Sequence, residues 1–337
     1  MDFNFETQTS VLKNLVTKDF DAGLIFSSQA SGSIIKGFDS PSYFSPNIDD
    51  NYIFHEHTRD MIVWFLDNTE PLYVFGPLGC GKTSMVKQIA ARLNYPLFEV
   101  TGHNRLEFPE MVGHLAVKDG GMFFQDGPLA LAMKYGGIFL LNEIDLLDPS
   151  TAAGLNSILD GSPLCVPENG GEIIVPHPMF RFVATANTNG TEDPTGLYHG
   201  TLRQNCSFMD RFCLCEIGYP KAALEEKLLE KMSPELPADL RSKMIEYVTE
   251  VRRLFVGSTN DVYSRSDMIL DITFSTRTLL RWARLTLLYQ PLSRHGISPI
   301  VHAMDRSLGL RATPESRTFL YELAQRIFNV EYIQREA

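Results

Sequence analysis

Residues 72–75 form a short apolar run between polar stretches, a strongly apolar run recurs at 138–141, and further strands are expected near 97–100 and at 182–185. Runs this short and continuous predict strands buried on both faces. Between them the apolar spacing turns helical: Met61, Ile62, Phe65 and Leu66 share a face before the first run, and a helix is expected over about 83–93 after it. Strands alternating with helices predict a parallel sheet with crossover helices. Two segments break the alternation. Residues 114–117 and 122–125 flank Asp119-Gly120-Gly121, and 163–166 and 172–175 flank Asn169-Gly170-Gly171. Both predict inserted β-hairpins, because Asp-Gly and Asn-Gly tolerate the positive φ of tight turns. Between them, Asp148-Pro149 predicts a helix start, Asp as N-cap and Pro in the first turn, with Leu155, Ile158 and Leu159 on one face.

After Pro220 the pattern is helical and Arg-rich, with helices expected over 222–232, 239–254, 276–289 and 314–329. Residues 1–50 are polar and acidic, rich in Ser, Gly and Pro towards their end; they predict a short helix over 11–20 followed by an extended arm. The expected division is thus an arm (1–50), an α/β nucleotide-binding domain (51–220) and a helical domain (221–337). At 337 residues the chain has length for about two domains.

Charge changes this picture only locally. Residues 1–220 hold 13 basic and 26 acidic side chains, whereas 221–337 hold 17 and 15. That distribution argues against a surface-wide clamp on DNA or RNA. No apolar run reaches the roughly 18 residues of a membrane span, and the acidic N-terminus is unlike a basic targeting peptide; a cytoplasmic protein is the expectation. Cys80, Cys165, Cys206, Cys213 and Cys215 are too few and scattered for a disulfide framework. His103, His114, His177 and His199 share no metal-ligand spacing.

The candidate chemistry begins at Gly76-Pro77-Leu78-Gly79-Cys80-Gly81-Lys82-Thr83, followed by Ser84. It fits G-x-x-x-x-G-K-[ST] between an apolar strand and a helix, the context a phosphate loop needs. Glycines let backbone N–H groups converge on phosphates, Lys82 reaches the β- and γ-phosphates of ATP, and Thr83 offers its hydroxyl to Mg2+. Residues 138–141 then lead into Asn142-Glu143, placing two polar side chains at the carboxyl edge of the sheet. Glu143 is the candidate base. Asn142 can hydrogen-bond Mg2+-bound water through its amide but, unlike a carboxylate, brings no charge, so weaker attraction for Mg2+ is expected. Asp145 and Asp148 read as solvated caps.

With Ala184-Thr185-Ala186-Asn187, Met209-Asp210-Arg211-Phe212 and Ser275-Thr276-Arg277 added, the chain resembles the AAA+ ATPases. These segments are similar to that family's sensor 1, arginine finger and sensor 2, and the five motifs follow in the family's order. The two hairpins fall where the helix-2-insert branch carries its insertions, a branch that includes MoxR ATPases, chelatase ATPase subunits and dynein-related modules. Within it, Asn51-Tyr52-Ile53-Phe54, residues 180–188 and Met209-Asp210-Arg211 resemble the cobalt chelatase small subunit (CobS) type and its relatives. The resemblance implies a P-loop three-layer αβα parallel sheet with two hairpins and a helical lid. It also implies that Asn187 senses the γ-phosphate or orients water, that Arg211 acts on a neighbouring copy's nucleotide, and that Arg277 connects the lid to the nucleotide. Arg203 competes with Arg211 for the role in trans. Tyr52 and Ile53 line the adenine pocket by resemblance, and are as well explained as core residues.

Three functions follow. A hexameric ring could remodel a protein partner, by analogy often one carrying a von Willebrand factor A-type module. A nucleic-acid motor is the alternative; the acidic first 220 residues, and hairpin tips read as Lys118-Asp119 and Glu168 with Glu172, count against it. A nucleotide-dependent assembly switch with little turnover is suggested by Asn142.

Overall fold

The computed structural model describes residues 5–26, 32–54, 56–67, 70–118, 120–191, 198, 200–256 and 270–330. The chain divides into two compact units, one of residues 1–77 with 81–218 and one of 78–80 with 219–337.

The first unit opens with α1 (Phe5–Leu12), β1 (Thr17–Asp21), α2 (Ala22–Ile25) and β2 (Ile34–Phe38). Here the structure corrects the sequence reading. The helix lies earlier than 11–20, and Thr17–Asp21 is a strand paired antiparallel with β2, Thr17 opposite Phe38. The supposed extended arm is folded because it has an apolar side to bury: Ile35 and Phe38 are almost fully buried, and Phe38 meets the Tyr95 ring edge-on at 5.3 Å. A buried Phe contributes about 1.5–3 kcal/mol. Gly37 lets β2 approach so closely that a Cβ there would lie 2.3 Å from the Leu93 carbonyl oxygen.

The rest of this unit runs α3 (Thr58–Asp67), β3 (Leu72–Phe75), α4 (Lys82–Arg92), β4 (Leu97–Thr101), α5 (Phe108–Val112), β5 (Gly113–Lys118), β6 (Gly121–Asp126), α6 (Pro128–Tyr135) and β7 (Ile138–Asn142). Then come α7 (Pro149–Gly154), α8 (Asn156–Leu159), β8 (Leu164–Val166), β9 (Glu172–Ile174), β10 (Arg181–Ala186), α9 (Cys206–Met209) and β11 (Cys213–Glu216). The central sheet has the order β11-β3-β10-β7-β4, and every pairing in it is parallel. Residues of β7 and β10 are buried throughout, as continuous apolar runs in a sheet covered on both faces require. Every carboxyl end of these strands therefore points the same way, and the P-loop αβα class is the observed one.

Both insertions are hairpins. In the first, Lys118 pairs with Gly121, leaving a two-residue connection in which Gly120 has φ +79°; Asp119 lies outside the described residues. The second departs from the tight turn expected. Pro167–Asn169 form a 3-10 turn and Gly170 and Gly171 both take positive φ, so five residues connect Val166 to Glu172. The proline, locked near φ −65° and lacking an N–H, cannot extend the ladder.

The second unit contains α10 (Ala222–Met232), α11 (Ala238–Val256), α12 (Thr276–Leu288), α13 (Pro299–Ser307) and α14 (Pro314–Phe328). Four expected helices are present; α13 is additional. Trp282 is buried among the Tyr247, Phe274 and Phe328 rings at 5.1, 5.3 and 5.6 Å. Among the described residues no helix is long and apolar enough to cross a membrane.

Candidate functional site

The phosphate loop leaves β3 through Gly76. Its φ is +150°, and a Cβ there would stand 1.9 Å from the Ile217 carbonyl oxygen, so only glycine lets the chain pass β11. Gly79 and Gly81 also hold positive φ, +70° and +103°. A Cβ on Gly81 would meet nothing within 4 Å, so it is the backbone angle and not crowding that favours glycine there. Cys80 is buried, Leu78 and Ser84 exposed, and Pro77 half-buried.

Lys82, the first residue of α4, is held at the loop by acceptors that include the Gly76 and Pro77 carbonyls at 2.7 and 3.1 Å and Asn187 Oδ1 at 3.0 Å. The sheet thus joins Lys82 to the end of β10, 105 residues away. At the end of β7, Asn142 is the hub of a second set of contacts. Its Oδ1 accepts from Thr83 Oγ1 at 2.8 Å and Thr185 Oγ1 at 2.9 Å. Its Nδ2 donates to Glu99 Oε1 at 2.6 Å, and Glu99 Oε2 lies 2.5 Å from Lys87 Nζ. The Thr83 hydroxyl oxygen is the kind of hard donor a Mg2+ ion prefers, with Asn142 beside it for a water on the ion, and the loop's glycines fit a phosphate chain.

Glu143 is exposed, with a left-handed backbone at φ +54°, ψ +43°. A non-glycine residue held there stores on the order of 1–3 kcal/mol, a frequent device for aiming a side chain out of a strand end. Gly102 makes room beside it; its N–H donates to the Asn142 carbonyl at 2.6 Å, and a Cβ on it would come 2.6 Å from the Glu143 carbonyl oxygen.

Asp145 corrects the solvated-cap reading, since it is fully buried. Its Oδ2 accepts from the N–H groups of Asn187 and Thr188 at 2.8 and 3.1 Å and from Thr188 Oγ1 at 3.3 Å. It therefore ties the segment after β7 to the one after β10, fixing where Asn187 emerges. Beside it, burial first and the Asp145 charge second raise the Tyr73 pKa, so the phenol stays a neutral donor to the Thr188 carbonyl at 3.0 Å. Asp148 does cap α7, accepting from Ser150 N at 2.8 Å.

Arg211 stands elsewhere. It lies two residues before β11, at the amino edge of the sheet, where its Nε and Nη2 donate to Asp160 Oδ1 and Oδ2 at 2.8 and 3.1 Å; its Nη1 also donates to the Ser207 carbonyl. An open cleft of about 700 Å³ surrounds it, lined also by Asp210, His177 and Arg181. Burial, and then the Arg181 charge, lower the His177 pKa, in keeping with a neutral ring whose Nδ1 accepts from Met179 N at 3.0 Å. Arg203 is exposed. Tyr52 and Ile53 are half-buried; the Tyr52 ring meets Phe54 at 5.1 Å, and Arg92 covers Phe54 at 4.8 Å.

In the helical unit Ser275 caps α12 by accepting from Thr278 N at 3.1 Å. Thr276 Oγ1 donates to Glu225 Oε1 at 2.7 Å, and Glu225 forms a buried two-pronged pair with Arg252, both contacts at 2.8 Å. That pair anchors the first turn of α12 and leaves Arg277 exposed. Sequence reasoning missed Glu99, Lys87 and Thr185. The available signal was the i,i+4 spacing of Thr83 and Lys87 on one face of α4.

The family described as "AAA domain (dynein-related subfamily)" matches residues 71–199, and that described as "CbbQ/NirQ/NorQ C-terminal" matches 225–327. The chain is 28% identical over 293 residues to the aerobic cobaltochelatase subunit CobS of Sinorhizobium sp, covering 86% of this chain and 84% of that protein. It is 30% identical over 225 residues to the denitrification regulatory protein NirQ of Stutzerimonas stutzeri, covering 66% and 78%. Protein NorQ of Paracoccus denitrificans matches at 30% over 167 residues, covering 49% and 59%. With both families matched in order along the chain and the phosphate loop on its parallel sheet, the chain belongs to the MoxR/CobS type of AAA+ ATPases.

Proposed function

We propose that the chain is an ATP-driven motor that assembles into a hexameric ring in the cytoplasm and remodels a protein partner. The observation that carries this reading is the position of Arg211 at the amino edge of the sheet, opposite Lys82 at the carboxyl edge. A chain whose arginine finger lies on the far side of its own sheet has to lend it to a neighbour, which a ring of copies allows.

In this reading the loop amides and Lys82 bind the β- and γ-phosphates of ATP. Thr83 would hold Mg2+ directly and Asn142 through a water on the ion, which when bound would offset phosphate charge. Glu143 accepts the proton of the attacking water, and Asn187, steadied by Asp145, hydrogen-bonds that water or the γ-phosphate. Arg211 of a neighbouring copy stabilises charge developing in the transition state. Tyr52 and Ile53 border the adenine, and Arg277 links the helical unit to the phosphates.

The hairpins support a protein partner over a nucleic acid. Of the charge read at the second tip, Glu168 is exposed and Glu172 is tied back to Lys134 at 2.9 Å, while several outward side chains on the strands are apolar. The cross-strand pair Val117 and Met122 is 74% and 71% exposed, and Ile173 is 67% exposed. Apolar side chains held out on paired strands suit a protein surface, whereas a phosphate track wants Lys and Arg. Such a partner can carry a von Willebrand factor A-type module, as the family resemblance suggests.

The test is sedimentation and turnover of purified full-length protein. Glu143→Gln with ATP should sediment at six chain masses, and the unsubstituted chain should release phosphate without DNA. A monomer at all ATP concentrations, or turnover seen only with DNA, overturns the proposal.

A further inference from the structure

The Asn142 amide has a direction, and one residue sets it. Its two hydroxyl partners, Thr83 and Thr185, would accept either orientation, because a hydroxyl both donates and accepts. Glu99 would not. An ionised carboxylate only accepts, so at 2.6 Å it requires the Asn142 –NH2 and turns the carbonyl oxygen towards Thr83. That choice decides what Thr83 can do. With Asn142 Oδ1 taking its proton, the lone pairs of Thr83 Oγ1 remain free for a cation; with the amide reversed, an N–H would occupy one of them and the hydroxyl proton would have to turn elsewhere.

Glu99 is itself held. Lys87 lies one helical turn beyond Thr83 on α4 and grips the other carboxylate oxygen at 2.5 Å. Along β4, Glu99 is opposite Leu140 and Thr101 is opposite Asn142. Glu99 and Asn142 therefore share a sheet face on adjacent strands, the face α4 covers at Thr83 and Lys87.

Resting on the nucleotide site proposed above, we infer that Glu99 is the positioning residue of the Mg2+ site: the carboxylate absent from the end of β7 is carried one strand over, where it orients Asn142 and frees Thr83. Outer partners of this kind typically contribute 10–100-fold in metal affinity. The pairing also has a consequence for repair. Asn142→Asp alone places two carboxylates where a 2.6 Å hydrogen bond stood, so it weakens the site it formally restores; adding Glu99→Gln supplies an amide donor and reverses the loss.

The test uses full-length protein carrying Glu143→Gln, so that ATP persists, and a fluorescent ATP analogue. The quantity read is the ratio of its Kd in EDTA to its Kd in Mg2+, with thermal melting followed in parallel. Glu99→Gln should lower this ratio about tenfold and leave the Kd in EDTA unchanged. In the Asn142→Asp background the same Glu99→Gln change should raise the ratio. A side chain that only supports the fold moves both backgrounds in one direction. No change in the ratio, or a fall in both backgrounds, overturns the inference while leaving the nucleotide site intact. Failure of the unsubstituted chain to bind the analogue removes the nucleotide site and the inference together.

Discussion

The two ends of the central sheet are built differently. At the carboxyl end, Lys82, Thr83, Asn142, Thr185 and Asn187 hold one another through contacts of 2.8–3.0 Å drawn from two strands and a helix. At the amino end, the carboxylate paired with Arg211 among the described residues is Asp160, half exposed at the rim of an open cleft. A strand such as β7, five residues long, spans about 16 Å, farther than a side chain reaches. One end is prepared to hold phosphates without help; the other keeps a cation in a weak pair from which a competing anion can draw it, since exposed ion pairs contribute only about 0–1 kcal/mol. In the proposed ring both ends serve one reaction, each supplied by a different copy.

The largest effect expected from breaking this arrangement is that of Arg211→Ala, which should cost about 10³-fold or more in kcat while nucleotide binding persists. Mixing it with Lys82→Ala should restore part of the turnover, because each supplies the end the other lacks. Equal loss from Arg203→Ala, with Arg211→Ala active, would transfer the role. Glu143→Gln should cost about 10²–10⁴-fold in turnover, read as phosphate release at saturating ATP. For Lys82→Ala the expected loss is about 10²–10³-fold, accompanied by loss of binding to a fluorescent ATP analogue, which separates the two ends cleanly. Asp160→Asn should shift stability by less than about 1 kcal/mol in urea titration and leave turnover within a few-fold. The smallest effect belongs to His177. Its folded pKa lies below the ordinary 6.5, so the folded state binds fewer protons than the unfolded one and stability is retained above pH 6.5. Stability should decline as pH falls below 6.5 through the lower folded value, and His177→Asn should flatten that decline in melting profiles from pH 8 to 5.

Legibility in the sequence followed the range of the contacts. The phosphate loop was readable because strand, glycines, lysine and helix are consecutive, and Asn142-Glu143 because a buried run of apolar residues fixes where its polar end emerges. Glu99 was not readable. In Leu97-Phe98-Glu99-Val100 a carboxylate on an alternating edge strand looks like a solvent-facing residue, and its partner Asn142 is 43 residues distant. Asp145 misled for a related reason: an aspartate after a strand resembles a cap until the amides of Asn187 and Thr188 arrive from another strand. The helix expected over 11–20 failed where β2 supplied a ladder, a pairing no local pattern announces. In the helical unit, by contrast, four helices lie within two residues of the expected bounds, because i,i+3 and i,i+4 apolar spacing is itself local.

The second hairpin carries a consequence for how its motion can be watched. In β8 the pattern buried–exposed–buried turns Cys165 outward between Leu164 and Val166. Cys80 and Cys215 are buried, and burial pushes the Cys215 thiol up to about 12; Cys213 is half-buried and Cys206 exposed. Once Cys206 is replaced by serine, a maleimide dye should find Cys165 first. The protein thus carries its own attachment point for a fluorophore, on an element proposed to meet the partner, and each turnover cycle could be followed as a change in that dye's colour or polarisation.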